Sequence, residues 1–333
     1  MSDLSPTVGP MSSATAPLSA PTAEGDLEEF RVELTGYCYR MLGSLFDAED
    51  AVQETLLRGW RGWNGFDGRS STRTWLYRIA TNVCLDLLRG HRRRAVPTDF
   101  GDPSPPVALS LGDPETGWVG PAPDAAVLPT GDPAELAVLR DSVRLAFVAA
   151  LQHLPPRQRA VLILRDVLRW HADEVAGLLE TSVPAVNSAL QRARATLAER
   201  AGAAPGPALD EEHRDLLDRY VRVFERYDID ALVGLLREDA VHSMPPYRMW
   251  LSGAADIGRW MVSWPASGCQ GSRLLPVSAN GAPALAQYRP DQAGGRRAFS
   301  IQLIDVADGR ITRLTHFLEP ALFARFGLPD RIA

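Results

Sequence analysis

Between Phe66 and Arg94 the chain reads FDGRSSTRTWLYRIATNVCLDLLRGHRRR, which sets seven arginines and His91 against two acids, Asp67 and Asp86. The whole chain has a formal net charge of -6, so this stretch is a local cation on a global anion. Such a stretch suits a polyanion. Trp75 and Tyr77 stand among the arginines, and rings beside guanidinium groups suit unstacked bases held against a phosphate backbone better than an intact duplex. The plainer reading is an amphipathic helix with a solvated arginine face and Trp75, Leu76 and Ile79 as core.

A second chemistry lies in HADEVAGLLETSVPAVNSALQRARATLAER. Its apolar spacing predicts a helix over 171–179, a turn at 180–182 and a helix over 183–200, with Val175, Ala176 and Leu179 packing on Val186, Leu190 and Leu197. Thr181 or Ser182 serves as N-cap, and Pro184 is tolerated in a first turn. This fits a helix-turn-helix, whose second helix enters the major groove. Ala185, Asn187, Ser188, Gln191 and Arg192 then point outward. Asn and Gln can read adenine, and Arg can read guanine or phosphate. An ordinary helical hairpin is the plainer alternative.

The elements around these residues change character along the chain. The first 26 residues are rich in Ser, Thr, Ala and Pro and read as a disordered tail without a signal-peptide core. Residues 27–95 are helical in pattern. Residues 96–132 turn to Pro, Gly and Asp, and between Arg94 and Arg140 seven acids stand without one basic residue. That composition predicts a long flexible linker that builds no core. Helical pattern resumes over 133–201, and GAAPGPAL at 202–209 opens a second short linker ending at 210.

From 211 the grammar is α+β. Helices are predicted over 211–226 and 229–237, and strands over 272–278, 284–289, 299–306 and 311–318, with Asp308-Gly309 as a hairpin signal. All 35 basic residues are arginine, which suits bidentate contacts but is weak support for any function. Cys38, Cys84 and Cys269 lack metal-ligand spacing and read as reduced thiols of a cytoplasmic protein. No apolar run reaches membrane-spanning length. No metal or cofactor is expected.

DAEDAVQETLLRGWRGWNGFDGRSSTRTWLYRIATNVCLDLLRGHRRR resembles region 2 of the extracytoplasmic-function (ECF) branch of the bacterial sigma-70 family, and LPPRQRAVLILRDVLRWHADEVAGLLETSVPAVNSALQRARATL resembles its region 4. The resemblance implies two all-α domains that bind core RNA polymerase at clamp and flap, direct it to promoter DNA and open the duplex. By the same resemblance Asp47, Glu49, Asp50, Gln53 and Glu54 match the acidic helix that docks on the clamp. Trp75, Leu76, Tyr77 and Asn82 match the part that captures a flipped base of the -10 box, with Arg69 and Arg73 near the backbone and Arg89, Arg92, Arg93 and Arg94 on phosphates. The recognition helix would read the -35 box. Asn187 and Ala189 stand where many relatives carry arginine, so base preference there is not transferable. The resemblance also runs the acidic connector along the channel that later holds RNA, where its carboxylates would mimic phosphates.

Residues 211–333 resemble the SnoaL-like branch of the NTF2-like fold, a curved sheet around helices enclosing a cone-shaped pocket. The cues are YDIDALVGLLREDAVHSMPPYRMWLSGAADIGRWMVSW and the strand ending RLTHFLEP. The expected pocket residues are His242, Met244, Tyr247, Trp250, Tyr288, Gln302 and His316, with Asp256 and Asp305 as uncertain carboxylates. Enzymes of this fold use an Asp or His base with polar partners. Lacking an obvious carboxylate there, the domain is expected to be non-catalytic and regulatory, with small-ligand sensing as the second option. Two rivals to a promoter-specificity subunit stand: a helix-turn-helix regulator with a ligand-binding domain, and an isomerase or cyclase carrying DNA-binding helices. The acidic helix argues against the first, and the missing carboxylate-base pair against the second.

Overall fold

The computed structural model describes residues 27–66, 68–90, 93–106, 117–200, 211–263 and 266–333. The N-terminal tail, His91, Arg92, the middle of the first connector and the 202–210 connector lie outside the described residues.

Three helices form the first unit: α1 (Arg31–Leu42), α2 (Leu45–Gly62) and α3 (Thr72–Leu87). Gly43, at φ 72°, ends α1, and Ser44 starts α2 at once by accepting the Asp47 N–H at 3.3 Å. Ser71 caps α3 in the same way through the Thr74 N–H at 3.1 Å. The second unit contains α4 (Pro133–Ser142), α5 (Leu145–Leu151), α6 (Pro156–Leu162), α7 (Ala172–Leu178) and α8 (Val183–Arg200). Val175, Ala176, Val186 and Leu190 are buried between α7 and α8, so the helix-turn-helix packing holds. Ser182 is the cap, accepting the Ala185 N–H at 3.3 Å.

The two helical units share one core. Arg159 of α6 is buried, and its guanidinium donates to the Met41 and Leu154 carbonyls and to both the side-chain and backbone oxygens of Gln152. Burial lowers its pKa to about 10, and the four oxygen acceptors on its two terminal nitrogens are what keep a charged group tolerable there. Arg40 is likewise buried and donates to Gly36, Leu139 and Ser142.

Composition misread the described part of the first connector. Val119, Ala122 and Val127 are buried in this core, and the helical turn Asp124–Val127 lies against α1. Gly36 permits that approach, since a Cβ there would stand 2.3 Å from the Val127 carbonyl oxygen. A low density of apolar residues does not mean absence of a core, since three small ones at the right places suffice to dock a strap. Three of its carboxylates are also engaged: Asp99 lies 3.4 Å from Arg93, Asp124 accepts the Gly281 N–H at 2.7 Å, and Asp132 caps α4.

The C-terminal domain opens with α9 (Glu211–Arg226) and α10 (Ile229–Val233). Its sheet strands are β1 (Leu236–Ser243), β2 (Trp250–Ser252), β3 (Arg273–Ala279), β4 (Ala282–Pro290), β5 (Arg296–Ala307), β6 (Arg310–Phe317) and β7 (Arg331–Ile332). The order is β2-β1-β6-β5-β4-β3, with β7 on β5, and α11 (Ala254–Val262) packs beside β1. The helix expected over 229–237 stops at Val233, because Leu236 already pairs with Ile311 in the parallel β1–β6 ladder. Charges at Arg237, Glu238 and Asp239 hid this strand; they occupy its solvent-facing part, while Ala240, His242 and Ser243 are buried.

Candidate functional site

Helix α8 presents its expected reading residues as a set. Ala185, Asn187, Ser188, Gln191 and Arg192 are all exposed, while Val186, Leu190 and Ala193 anchor the opposite face. Arg192 donates to the Ser188 hydroxyl at 2.6 Å, which holds the guanidinium along the helix surface.

Helix α3 is different. Tyr77 is fully buried, its ring 5.1 Å from that of Trp170 and 5.2 Å from that of Tyr37. Burial raises the Tyr77 phenol pKa. Arg73 lies over both Tyr77 and Trp170, 5.2 and 5.7 Å from the ring centroids, and makes a two-point contact with Glu33 at 3.0 Å. Trp75 is part-buried in a cluster with Phe66 and Trp63, at 5.0 and 6.2 Å. Asn82, Arg69, Arg89 and Arg93 are exposed. Arg89 pairs with Asp86 at 3.1 Å, Arg93 contacts His153 and Asp99, and Arg94 pairs with Asp47 and donates to the Trp118 carbonyl. The base-capturing role expected of Tyr77 therefore has no open face in this arrangement. Trp170, which sequence reading passed over, covers it; as a large ring just before the helix-turn-helix, its position was its one signal.

On α2, Asp50 and Gln53 are exposed, Glu54 pairs with Arg58 at 2.6 Å, and Glu49 pairs with Arg325 of the C-terminal domain at 2.8 Å. Arg325 also lies 5.4 Å from the Phe46 ring. Burial raises the Glu49 carboxyl pKa, and Arg325 opposes the rise.

The strongest tie between the domains is Asn280, at the β3–β4 turn. It accepts the Ala122 N–H at 3.0 Å and donates to the Tyr39 hydroxyl at 2.6 Å and the Val143 carbonyl at 2.7 Å. Asn280 and Gly281 both have positive φ, at 55° and 66°, the pattern of a two-residue hairpin turn. A Cβ at Gly281 would stand 2.5 Å from the Arg140 carbonyl oxygen, so the turn is pressed against α4. The Asn-Gly pair was a hairpin signal in the sequence as clear as Asp308-Gly309, and it was missed.

Within the cone, a cavity of about 150 Å³ is lined by His242, Met244, Tyr247, Trp260, Phe299 and His316 among others. The two imidazoles meet edge to face with centroids 4.8 Å apart. Burial pushes the His242 pKa down to about 4, and burial with the neighbouring His242 lowers that of His316. Three expected residues lie elsewhere. Tyr288 is on the other face of β4, where its hydroxyl donates to the Pro329 carbonyl, because β4 alternates from the inward Gln287. Gln302 joins a buried chain, accepting from the Tyr220 hydroxyl and donating to Gln287. Trp250, at the sheet edge, donates to the Gly101 carbonyl and accepts from the Ser104 N–H. Asp256 and Asp305 pair with Arg259 and Arg313. Among the described residues no cluster of metal-ligating groups occurs, and no helix is long and apolar enough to cross a membrane.

Two helical units, one carrying an acidic helix beside a cation-aromatic helix and the other an open recognition helix, together with a sheet cone, define a class that family comparison also returns. Residues 27–94 match Sigma-70 region 2, residues 144–197 match Sigma-70, region 4, and residues 217–314 match the SnoaL-like domain. The chain belongs to the ECF RNA polymerase sigma factors, with a SnoaL-like domain at its C-terminal side. It is 49% identical over 315 residues to ECF RNA polymerase sigma factor SigG of Mycobacterium tuberculosis, covering 92% of this chain and 83% of that protein. It is 28% identical over 323 residues to SigJ of the same organism, covering 92% and 95%. The crystal structure of SigJ shares the fold, with a TM-score of 0.58 and 23% identity over 91% of this chain and 98% of that one.

Proposed function

We propose that this sigma factor docks on the polymerase clamp through Asp47, Glu49, Asp50, Gln53 and Glu54 and on the flap through its region 4 unit, in the cytoplasm. The functional units are 27–95, 133–201 and 211–333. Asn187, Gln191 and Arg192 read the -35 box, with Ala185 and Ser188 at the same surface. Asn82, Trp75 and Tyr77 capture and hold open the -10 strand against Arg69, Arg73, Arg89, Arg92, Arg93 and Arg94. The observation that carries this reading is the joint exposure of the five α8 residues above a packed helix-turn-helix.

Engagement of the -10 box by Tyr77 requires the helical units to part, since Trp170 covers its ring, and Arg94 must separately leave Asp47 within the first unit. The C-terminal domain acts without catalysis, as a modulator of that parting. Its contacts through Asn280 and Arg325 reach both helical units, and Arg325 sits on the docking helix itself. Transcription reconstituted with core polymerase tests the reading. The chain should confer initiation at a cognate promoter, and Asn82→Ala should weaken opening more than polymerase binding. A chain that neither binds core polymerase nor confers promoter-specific initiation would overturn it.

A further inference from the structure

The cone of the C-terminal domain holds a feature that promoter recognition leaves unused. His242 is fully buried and His316 nearly so, and neither nitrogen of His242 nor Nε2 of His316 has a hydrogen-bond partner among the described residues. Buried polar groups are ordinarily paired, and a neutral imidazole needs one acceptor and one donor opposite it. With a pKa near 4, His242 is neutral at physiological pH. The two rings border the cavity of about 150 Å³. A cavity of that order takes roughly one benzene-sized ring.

Its walls narrow the occupant further. Phe224, Tyr247, Trp260 and Phe299 offer flat faces, and Met244 and Met261 are adaptable fillers. Among the described residues no carboxylate lines the cavity, which argues against a cation, and the neutral imidazoles give an anion no countercharge at that end. Arg289, the one lining cation among the described residues, is directed to the Gly268 carbonyl at 2.6 Å and lies over Phe299 at 4.3 Å.

We propose that this cavity is a binding site for a small uncharged hydroxylated aromatic, of the size of a monocyclic phenol, whose hydroxyl both donates to and accepts from the His242–His316 pair. The hydroxyl is the smallest group that supplies both roles from one atom, and the ring fills the aromatic part of the cone. The site is independent of the promoter-reading surfaces, so its failure leaves the sigma-factor reading standing, and the converse also holds.

The test uses the full chain and two probes of equal shape, p-cresol and p-xylene, followed by calorimetry at pH 7. p-Cresol should bind saturably at one site and at least tenfold more tightly than p-xylene. His242→Phe should bring the two affinities together, and Leu318→Trp, which fills the cavity, should abolish both. Should His242→Phe fail to fold, the imidazole nitrogen resonances of His242 in the wild-type chain decide instead, and they should move on addition of p-cresol. Equal affinities for both probes in the wild type would overturn the proposal, as would no binding of p-cresol or unmoved His242 resonances at saturation.

Discussion

On α8 the five candidate base-reading residues all face solvent, whereas on α3 the central ring, Tyr77, is sealed under Trp170 and its neighbouring cations are held by Glu33, Asp47 and Asp99. Both helices belong to one chain and are proposed to serve the same promoter. The difference follows from where each helix packs. Helix α8 buries one narrow stripe against α6 and α7 and leaves the rest in water. Helix α3 lies between α1, α2 and the second helical unit, so its aromatic face is core as long as the units touch. On the proposed assignment, the upstream contact is open in the isolated chain and the downstream one needs rearrangement.

The largest effect should come from removing the cover. Trp170→Ala deletes a buried indole at the junction and should destabilise the chain by about 4 kcal/mol, read from urea unfolding. The comparison sharpens if small-angle scattering also shows a more extended chain. An unchanged unfolding midpoint would mean that Trp170 does not hold the units together.

Next comes Asn280→Ala, which leaves the Ala122 N–H and Val143 carbonyl without their buried partner. Its expected cost is about 3 kcal/mol, confined to the docking of the C-terminal domain and visible as earlier proteolysis between the domains. Loss of stability within the C-terminal sheet itself would break this assignment.

Acidification should act through the cone. The folded pKa of His242 lies near 4 against an ordinary 6.5, and that of His316 is lowered too. The unfolded chain therefore binds more protons in this window, so these groups' contribution is complete above about pH 6.5 and is lost as pH falls toward 4. Unfolding midpoints measured across that range should fall, and a His242→Phe, His316→Phe pair should flatten the profile. The smallest effect should be Arg325→Ala. Its ion pair with Glu49 is part-exposed, so stability should change by less than about 1 kcal/mol, while polymerase affinity, measured by competition, should rise as the acidic helix is freed.

Much of the architecture was legible. The helix-turn-helix could be read because Val175, Val186 and Leu190 recur at helical spacing and a capping serine separates the two runs. The four later strands could be read from alternation and the Asp308-Gly309 turn. Strand β1 was not, since its first half is charged and its pairing partner lies some seventy residues away in β6. The contact between Tyr77 and Trp170 was illegible for the same reason: no local pattern reports which aromatic stripe meets another across a junction. Tyr288 and Trp250 were placed in the cone on residue type alone, and strand alternation sends Tyr288 to the opposite face. Asn280 differs from these, because its Asn-Gly pair was present to be read.

The central claim is that the face of α3 covered in the free chain opens when polymerase binds. Fluorescence energy transfer between dyes on Arg61→Cys and Ala195→Cys, both at exposed positions on α2 and α8, measures that separation directly. Transfer should be high in the free protein and fall when core polymerase is added, in a preparation that initiates transcription. Unchanged transfer in an active complex would contradict the account.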